Sequence, residues 1–209
     1  MLTILNEGYL KIIKLFYEDK NSKKHLREIA RQTNLQLPST SRFLKKMEKE
    51  QILKSEKDGN MKKYFIRKKD KTYLLFQILD MKNFEKLPLI KQEAIKTYLE
   101  VLQEKPVYVL LFGSTAKKNY RKNSDIDLLL ITNTKINTTE AEKETNILTT
   151  QIISSFQITY SEFIIELKLK EDKVIQSALN TGYPLINHIQ YYKEIYNERI
   201  RPSKIPKKQ

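Results

Sequence analysis

Apolar residues in the first seventy positions recur at helical spacing three times and then switch to strand alternation. Leu10, Ile13, Leu15 and Phe16 make a stripe on a helix from Asn6 to Glu18. Leu26, Ile29 and Ala30 mark a second helix, with Ser22 as its candidate cap, and Asn34 breaks that pattern. A third helix begins near Pro38, whose missing amide proton costs nothing in a first turn, and runs through Phe43, Leu44 and Met47. The spacing then predicts a hairpin, pairing Ile52 to Glu56 with Lys62 to Ile66 across Asp58, Gly59 and Asn60, residues that tolerate the positive φ of a tight turn.

The second half reads differently. Tyr73, Leu74, Phe76, Ile78 and Leu79 suggest one helix, and Leu89, Ile90, Ala94, Ile95, Tyr98, Leu99 and Leu102 a longer one after Pro88. No glycine-serine linker separates the halves, so a helical connector is expected, its apolar stripe suiting either intramolecular packing or a homodimer interface. Val107 to Phe112 is a continuous apolar run of strand length, as expected of a strand buried on both faces. Gly113 and Ser114 end it, ten residues follow, and Asp125-Ile126-Asp127 opens a second apolar run through Ile131. A helix over 139–154 and a strand from Phe156 to Tyr160 are expected next.

These elements predict an α/β two-domain (α+β) chain. Residues 1–70 form the first domain, 71–87 a helical connector, 88–200 a small mixed sheet flanked by helices, and 201–209 a basic, disordered tail.

Composition sharpens this picture at three points. With 209 residues, 40% of them hydrophobic, the chain can bury one or two modest cores but not those of a large multidomain enzyme. It has no cysteine, which excludes disulfides, thiolate zinc sites and cysteine nucleophiles. Glu7, Lys11 and Lys14 interrupt the apolar amino terminus before it reaches signal-peptide or membrane-spanning length, so a cytoplasmic protein with no membrane partner is expected. The net charge of +14 is uneven: residues 1–70 hold 18 basic and 9 acidic groups, residues 71–198 balance, and the tail adds basic groups alone. A field so positive over the first domain favours a polyanion, through counterion release from phosphates, although a solvated lysine-rich surface has the same composition.

Two carboxylates on one face of a strand repel each other unless a cation sits between them. By alternation Asp125 and Asp127 share a face while Ile126 takes the other, and hard oxygen ligands at this spacing suit magnesium. A pair of solvated aspartates at a loop is the structural alternative. The histidines His25 and His188 lack the further ligands a zinc site needs, and Tyr183, Tyr191, Tyr192 and Tyr196 read as packing residues of a carboxy-terminal helical region.

Two resemblances follow from these segments. Residues 5–67, with His25 to Asn34, Pro38 to Lys49 and the basic hairpin, resemble the winged helix-turn-helix family. That resemblance implies DNA or RNA binding by residues 1–70, with Ser39, Thr40, Ser41, Arg42, Lys45 and Lys46 on or beside the recognition helix and Lys62 and Lys63 on the wing. Protein docking is the other use such a domain has.

The second resemblance lies further along, where Gly113-Ser114, a short helix and Ser124-Asp125-Ile126-Asp127 are similar to the signature of the DNA polymerase β superfamily, particularly its minimal nucleotidyltransferases. It implies a nucleoside triphosphate substrate, with Gly113, Ser114, Lys117, Arg121 and Ser124 binding the nucleotide. It also implies Asp125 and Asp127 as catalytic ligands of one or two Mg²⁺ ions. Lys118 stands where the family commonly has glycine. Active members carry a third carboxylate on the next strand, where this chain aligns Thr159, and Glu162 and Glu166 are the acids nearest to it. Glu162 is the candidate general base, with a role as a first-turn helix acid set against it.

Together these features predict a Mg²⁺-dependent transfer of a nucleoside monophosphate to a hydroxyl, tethered to DNA. The minimal nucleotidyltransferase antitoxins supply a precedent, including a toxin as partner protein. The competing expectation is a transcriptional regulator whose second domain binds nucleotide and magnesium without turnover.

Overall fold

The computed structural model describes residues 6–19, 21–121 and 124–196. The chain divides into two compact units, residues 1–79 and 80–209, and the boundary falls inside a helix rather than in a loop. The tail expected to be disordered, 201–209, and the last residues of the expected second domain lie outside the described residues.

In the first unit, helix α1 (Glu7–Glu18) is capped by Asn6, whose side chain accepts from the Gly8 N–H. Strand β1 (Lys24–His25) precedes α2 (Leu26–Thr33), and α2 ends at Asn34 in the left-handed conformation, φ 54°. Helix α3 (Leu37–Lys49) starts with Pro38 in its first turn, and β2 (Leu53–Asp58) and β3 (Met61–Ile66) form the hairpin. Ser22 is not the cap of α2, because β1 pairs with Tyr64 and Lys63 of β3 and holds residues 24–25 extended, so that α2 begins only after His25. The Ser22 hydroxyl instead donates to the Asp19 carbonyl. The hairpin turn is tighter than expected: Asp58 pairs with Met61, leaving Gly59, at φ +59°, and Asn60 to turn the chain. Ile12, Ile13, Phe16, Ile29, Leu44 and Met47 are fully buried and form the core beneath the sheet of order β1-β3-β2.

Helix α4 (Asp70–Glu85) carries the chain across the boundary. The second unit continues with α5 (Leu89–Val101), β4 (Tyr108–Leu111), α6 (Gly113–Lys117), β5 (Ile126–Thr132), α7 (Thr139–Thr149) and β6 (Ile153–Thr159). Then follow α8 (Tyr160–Leu169), α9 (Lys173–Thr181), β7 (Tyr183–Pro184) and α10 (His188–Ile195). The sheet has order β6-β5-β4-β7, with β5 and β6 parallel and the other pairs antiparallel. It is a mixed sheet, as the α+β reading requires.

Alternation along β4 and β5 sends two sets of side chains to two cores. Val109, Leu111, Ile126, Leu128 and Leu130 pack with Ala94, Ile95 and Tyr98 of α5 and Ala141 of α7. On the other face Tyr108 meets Phe163 of α8 and Tyr191 of α10, with ring centroids 5.9 and 5.7 Å apart. Burying such aromatic and aliphatic side chains contributes about 1.5–3 kcal/mol each, which is what fixes the strands beneath the loops that matter below. Tyr183, Tyr191, Tyr192 and Tyr196 are all buried.

The α7–β6 junction departs from the sequence expectation. Thr150 adopts the left-handed conformation, φ 58°, and stops α7 five residues before its expected end. Strand β6 therefore starts at Ile153 rather than Phe156, and it contains no charged residue.

Candidate active site

Strand β4 delivers the chain to the site. The Phe112 N–H donates to the Asp127 carbonyl at 3.1 Å, and Gly113 then turns into α6 at φ +66°. A side chain cannot be added at this point: a Cβ on Gly113 would lie 2.0 Å from Oδ2 of Asp127. Glycine is required twice over here, by the backbone angle and by the carboxylate packed on its Cα. Ser114 follows in the first turn of α6. Buried Thr115 ties α6 to the second strand, its hydroxyl donating to the Asp125 carbonyl at 3.3 Å.

Helix α6 ends on Lys118 in the left-handed conformation, φ 60°, the geometry for which a glycine serves best. Lysine occupies it here, at roughly 1–2 kcal/mol of local strain. Beyond it, the Arg121 N–H donates to the Ser124 hydroxyl at 2.8 Å, closing the loop that leads into the aspartates. Lys117 and Arg121 are exposed.

Asp125 is exposed and lies just before β5, Ile126 is fully buried, and Asp127 is half-buried. Burial, then the Asp125 charge, pushes the Asp127 carboxyl above its ordinary range, while Lys91 pulls it back. Lys91 of α5 had no place in the sequence reading of the site. It is only 2% exposed, its ammonium donates to the Ser124 carbonyl at 2.8 Å, and it lies 5.1 Å from the centre of the Tyr120 ring. Burial lowers its pKa, and Asp125 and Asp127 hold it up.

The donor set fits magnesium in part. Asp125 and Asp127 offer two hard oxygen ligands, and the Asp125 charge adds to burial in raising the proton affinity of Asp127, a cost that a divalent ion relieves. Among the described residues no group of three or more His, Cys, Asp or Glu is placed to hold a metal. The protein thus supplies two carboxylates, and the rest of an octahedral shell falls to phosphate oxygens and water.

The third carboxylate must be sought across the sheet, and the register corrects the sequence alignment. Asp127 pairs with Ser154 of β6, whereas Thr159 pairs with Thr132 at the other end of β5. Five residues of strand separate Asp127 from Thr132, about 16 Å. The position facing the aspartates is therefore Ser154, not Thr159. Glu162 is remote from them and already engaged: it accepts from the Thr159 N–H at 2.7 Å while the Thr159 hydroxyl caps the helix, a reciprocal capping box. Those bonds hold its carboxyl below the usual range. Glu166 accepts from the Asp172 N–H and from Gln176. The structure brings Gly113, Ser114, Ser124, Asp125 and Asp127 together and leaves Glu162 out as a base.

On the first unit, Pro38, Arg42, Lys45 and Lys49 are exposed on one face of α3, at spacings of four, three and four. Ser39, Ser41 and Lys46 are half-buried, and Lys46 faces Glu50 at 3.9 Å. Thr40 does not reach the surface: it is fully buried and its hydroxyl bonds the Gln36 carbonyl. Lys49, not among the contact residues that the resemblance implied, lies on the exposed face. On the hairpin Lys62 is exposed, while Lys63 pairs with Asp58 at 2.8 Å. His25 joins them, its ring bonded to Asp58 and to the Lys62 carbonyl.

Comparison with known proteins bears on the second unit. Residues 93–190, just under half of the chain, match the family model described as polymerase beta, nucleotidyltransferase, so this stretch of the second unit is similar to domains of the nucleotidyltransferase type. No curated protein matches the chain. Among solved structures, an archaeal chromatin protein, TrmBL2, titled as showing a novel mode of DNA binding, aligns at 16% identity over 81% of this chain and 77% of its own. Its TM-score of 0.24 is too low to bear on the fold. Among the described residues no helix is long and apolar enough to cross a membrane.

Proposed function

We propose that the second unit is a Mg²⁺-dependent nucleotidyltransferase that moves a nucleoside monophosphate from a nucleoside triphosphate to a hydroxyl acceptor, and that the first unit is a winged helix-turn-helix tethering it to DNA. The observation that carries the enzyme reading is the contact of Gly113 with Asp127, which sets the backbone turn that opens α6 directly against one carboxylate of the pair. Gly113 and Ser114 would receive the triphosphate through backbone and hydroxyl, with Lys117 and Arg121 at the rim. Asp125 and Asp127 would hold magnesium, which when bound neutralises charge building on the phosphates. The acceptor oxygen then bonds to the α-phosphorus, the bond to the bridging oxygen breaks, and pyrophosphate leaves. With serine at position 154 and Glu162 in its cap, the acceptor proton passes to water.

That same serine favours a second reading, a DNA-binding regulator whose domain holds nucleotide and magnesium without turnover. An autoregulated antitoxin is the setting that a transferase joined to a DNA-binding unit suits best, and its partner would then be a toxin.

The test is incubation of the full chain with Mg²⁺ and each α-labelled nucleoside triphosphate, beside the Asp125→Ala, Asp127→Ala double variant. Pyrophosphate release that the variant lacks supports transfer. Magnesium-dependent nucleotide binding without release, across DNA, RNA and protein acceptors, supports the regulator instead.

A further inference from the structure

Lys91 lies on α5 two residues before the stretch that matches the nucleotidyltransferase model, and nothing in that motif requires it. Burying a lysine is unfavourable unless its ammonium finds partners. Lys91 has them at one place, the entrance to the carboxylate pair: the Ser124 carbonyl, one residue before Asp125, and the Tyr120 ring. Its charge is felt by both Asp125 and Asp127. The side chain reaches the site from the helix that also packs Ala94, Ile95 and Tyr98 into the core, so its position is fixed by the fold rather than by a mobile loop.

We infer that Lys91 is a resident cation of the site, a positioning residue that offsets the aspartate pair in the nucleotide-free protein and counts toward binding of the polyphosphate. This inference rests on the nucleotide-binding reading of the same site. A fixed positive charge beside two carboxylates has opposite effects on two ligands. It repels a lone Mg²⁺ ion, and it attracts the net-negative complex of magnesium with a polyphosphate chain. Lys91 therefore biases the site against free metal and toward metal that arrives with phosphate.

Calorimetric titration of the full chain with MgCl₂ alone, and with Mg²⁺-tripolyphosphate as a base-independent probe, tests this. Lys91→Met keeps the buried stem, and Lys91→Gln also keeps a donor for the Ser124 carbonyl. In both variants we expect free Mg²⁺ to bind more tightly and Mg²⁺-tripolyphosphate more weakly, each by about five- to tenfold. Lys91→Arg should retain wild-type order. A purely structural lysine would weaken both ligands together in Lys91→Met and be rescued by Lys91→Gln. That pattern, or no change in either ligand, overturns the inference while leaving the nucleotide site standing. A wild-type chain that binds no Mg²⁺-tripolyphosphate, or binds it equally with Asp127→Ala, overturns the nucleotide site itself and this inference with it.

Discussion

Oδ2 of Asp127 occupies the space where Gly113 would carry a side chain, 2.0 Å from the position of a Cβ. The amide of Phe112, one residue earlier, donates to the Asp127 carbonyl. Strand end, turn and carboxylate are thus a single packed object. The aspartate cannot move toward the turn, and the turn cannot accept a larger residue.

Gly113→Ala should cost both the fold and the nucleotide site. The positive φ adds roughly 1–2 kcal/mol of strain, and the methyl must displace the Asp127 carboxylate. Expected are a modest fall in Tm and a loss of at least about tenfold in Mg²⁺-dependent nucleotide affinity, equivalent to about 1.4 kcal/mol. Retained affinity with a lowered Tm would show that the carboxylate position is irrelevant to binding.

The residues of this turn were legible in the sequence because each half carries its own physical signature: an apolar run ended by glycine, and two acids forced onto one face by strand alternation. Lys91 was not legible, since a lysine in a helix ordinarily reads as solvent-facing and no local pattern reports which loop its ammonium reaches. The register of β6 was hidden for another reason. The helix before it is stopped by Thr150 in a left-handed conformation, with no glycine or proline to mark the place. A three-residue delay in the expected strand start therefore sent the search for a third acid to Thr159 and Glu162, at the wrong end of the sheet. Strand β1 was missed because two residues carry no periodicity, and with it the true start of α2.

If Ser154 holds the position facing the aspartates, a carboxylate placed there should complete the ligand set. Ser154→Asp is expected to raise Mg²⁺ affinity in the presence of nucleotide by about tenfold and to speed pyrophosphate release where the wild type is slow. Thr159→Asp, at the other end of the strand, should do neither. Equal effects of the two substitutions would contradict the register argument.

Asp127 makes a pH-dependent demand on stability. Its folded-state pKa is raised above the ordinary 3.8, first by burial and then by Asp125. A raised carboxyl pKa opposes folding fully at pH above the folded value. The penalty shrinks as pH falls through that value, and it is gone below the unfolded one. Asp127→Asn should therefore raise Tm by a few degrees at neutral pH, with the difference closing in mildly acidic buffer, while metal binding is lost. A variant that melts lower than wild type at neutral pH would mean the carboxylate is held by favourable partners rather than tolerated.

Asp80 is fully buried and accepts from the Tyr192 hydroxyl at 3.0 and 3.1 Å and from His188 Nδ1 at 2.9 Å, joining α4 to α10. Asp80→Ala strands both donors, so the second unit should lose about 3 kcal/mol, measurable by urea denaturation. Asp80→Asn, which keeps an acceptor, should lose less. Indistinguishable midpoints for all three proteins would remove Asp80 from the account of how this unit is held together.

The proposal that the first unit binds DNA rests on its charge and on the exposed face of α3, and the two can be separated by salt. Arg42, Lys45 and Lys49 share that face, and among the described residues none of the three has a carboxylate partner within 4 Å. If each neutralises one phosphate, log K against log salt for a short duplex should flatten by about 0.9 for every alanine substitution, and by about 2.7 for the triple variant. Lys96→Ala on the second unit, paired with Glu93 at 2.8 Å, should leave the slope alone. A triple variant with reduced affinity but an unchanged slope would mean that α3 supports the fold of the binding surface without touching phosphate. The duplex would then have to be sought at the hairpin, where Lys62 stays exposed while Lys63 is held by Asp58.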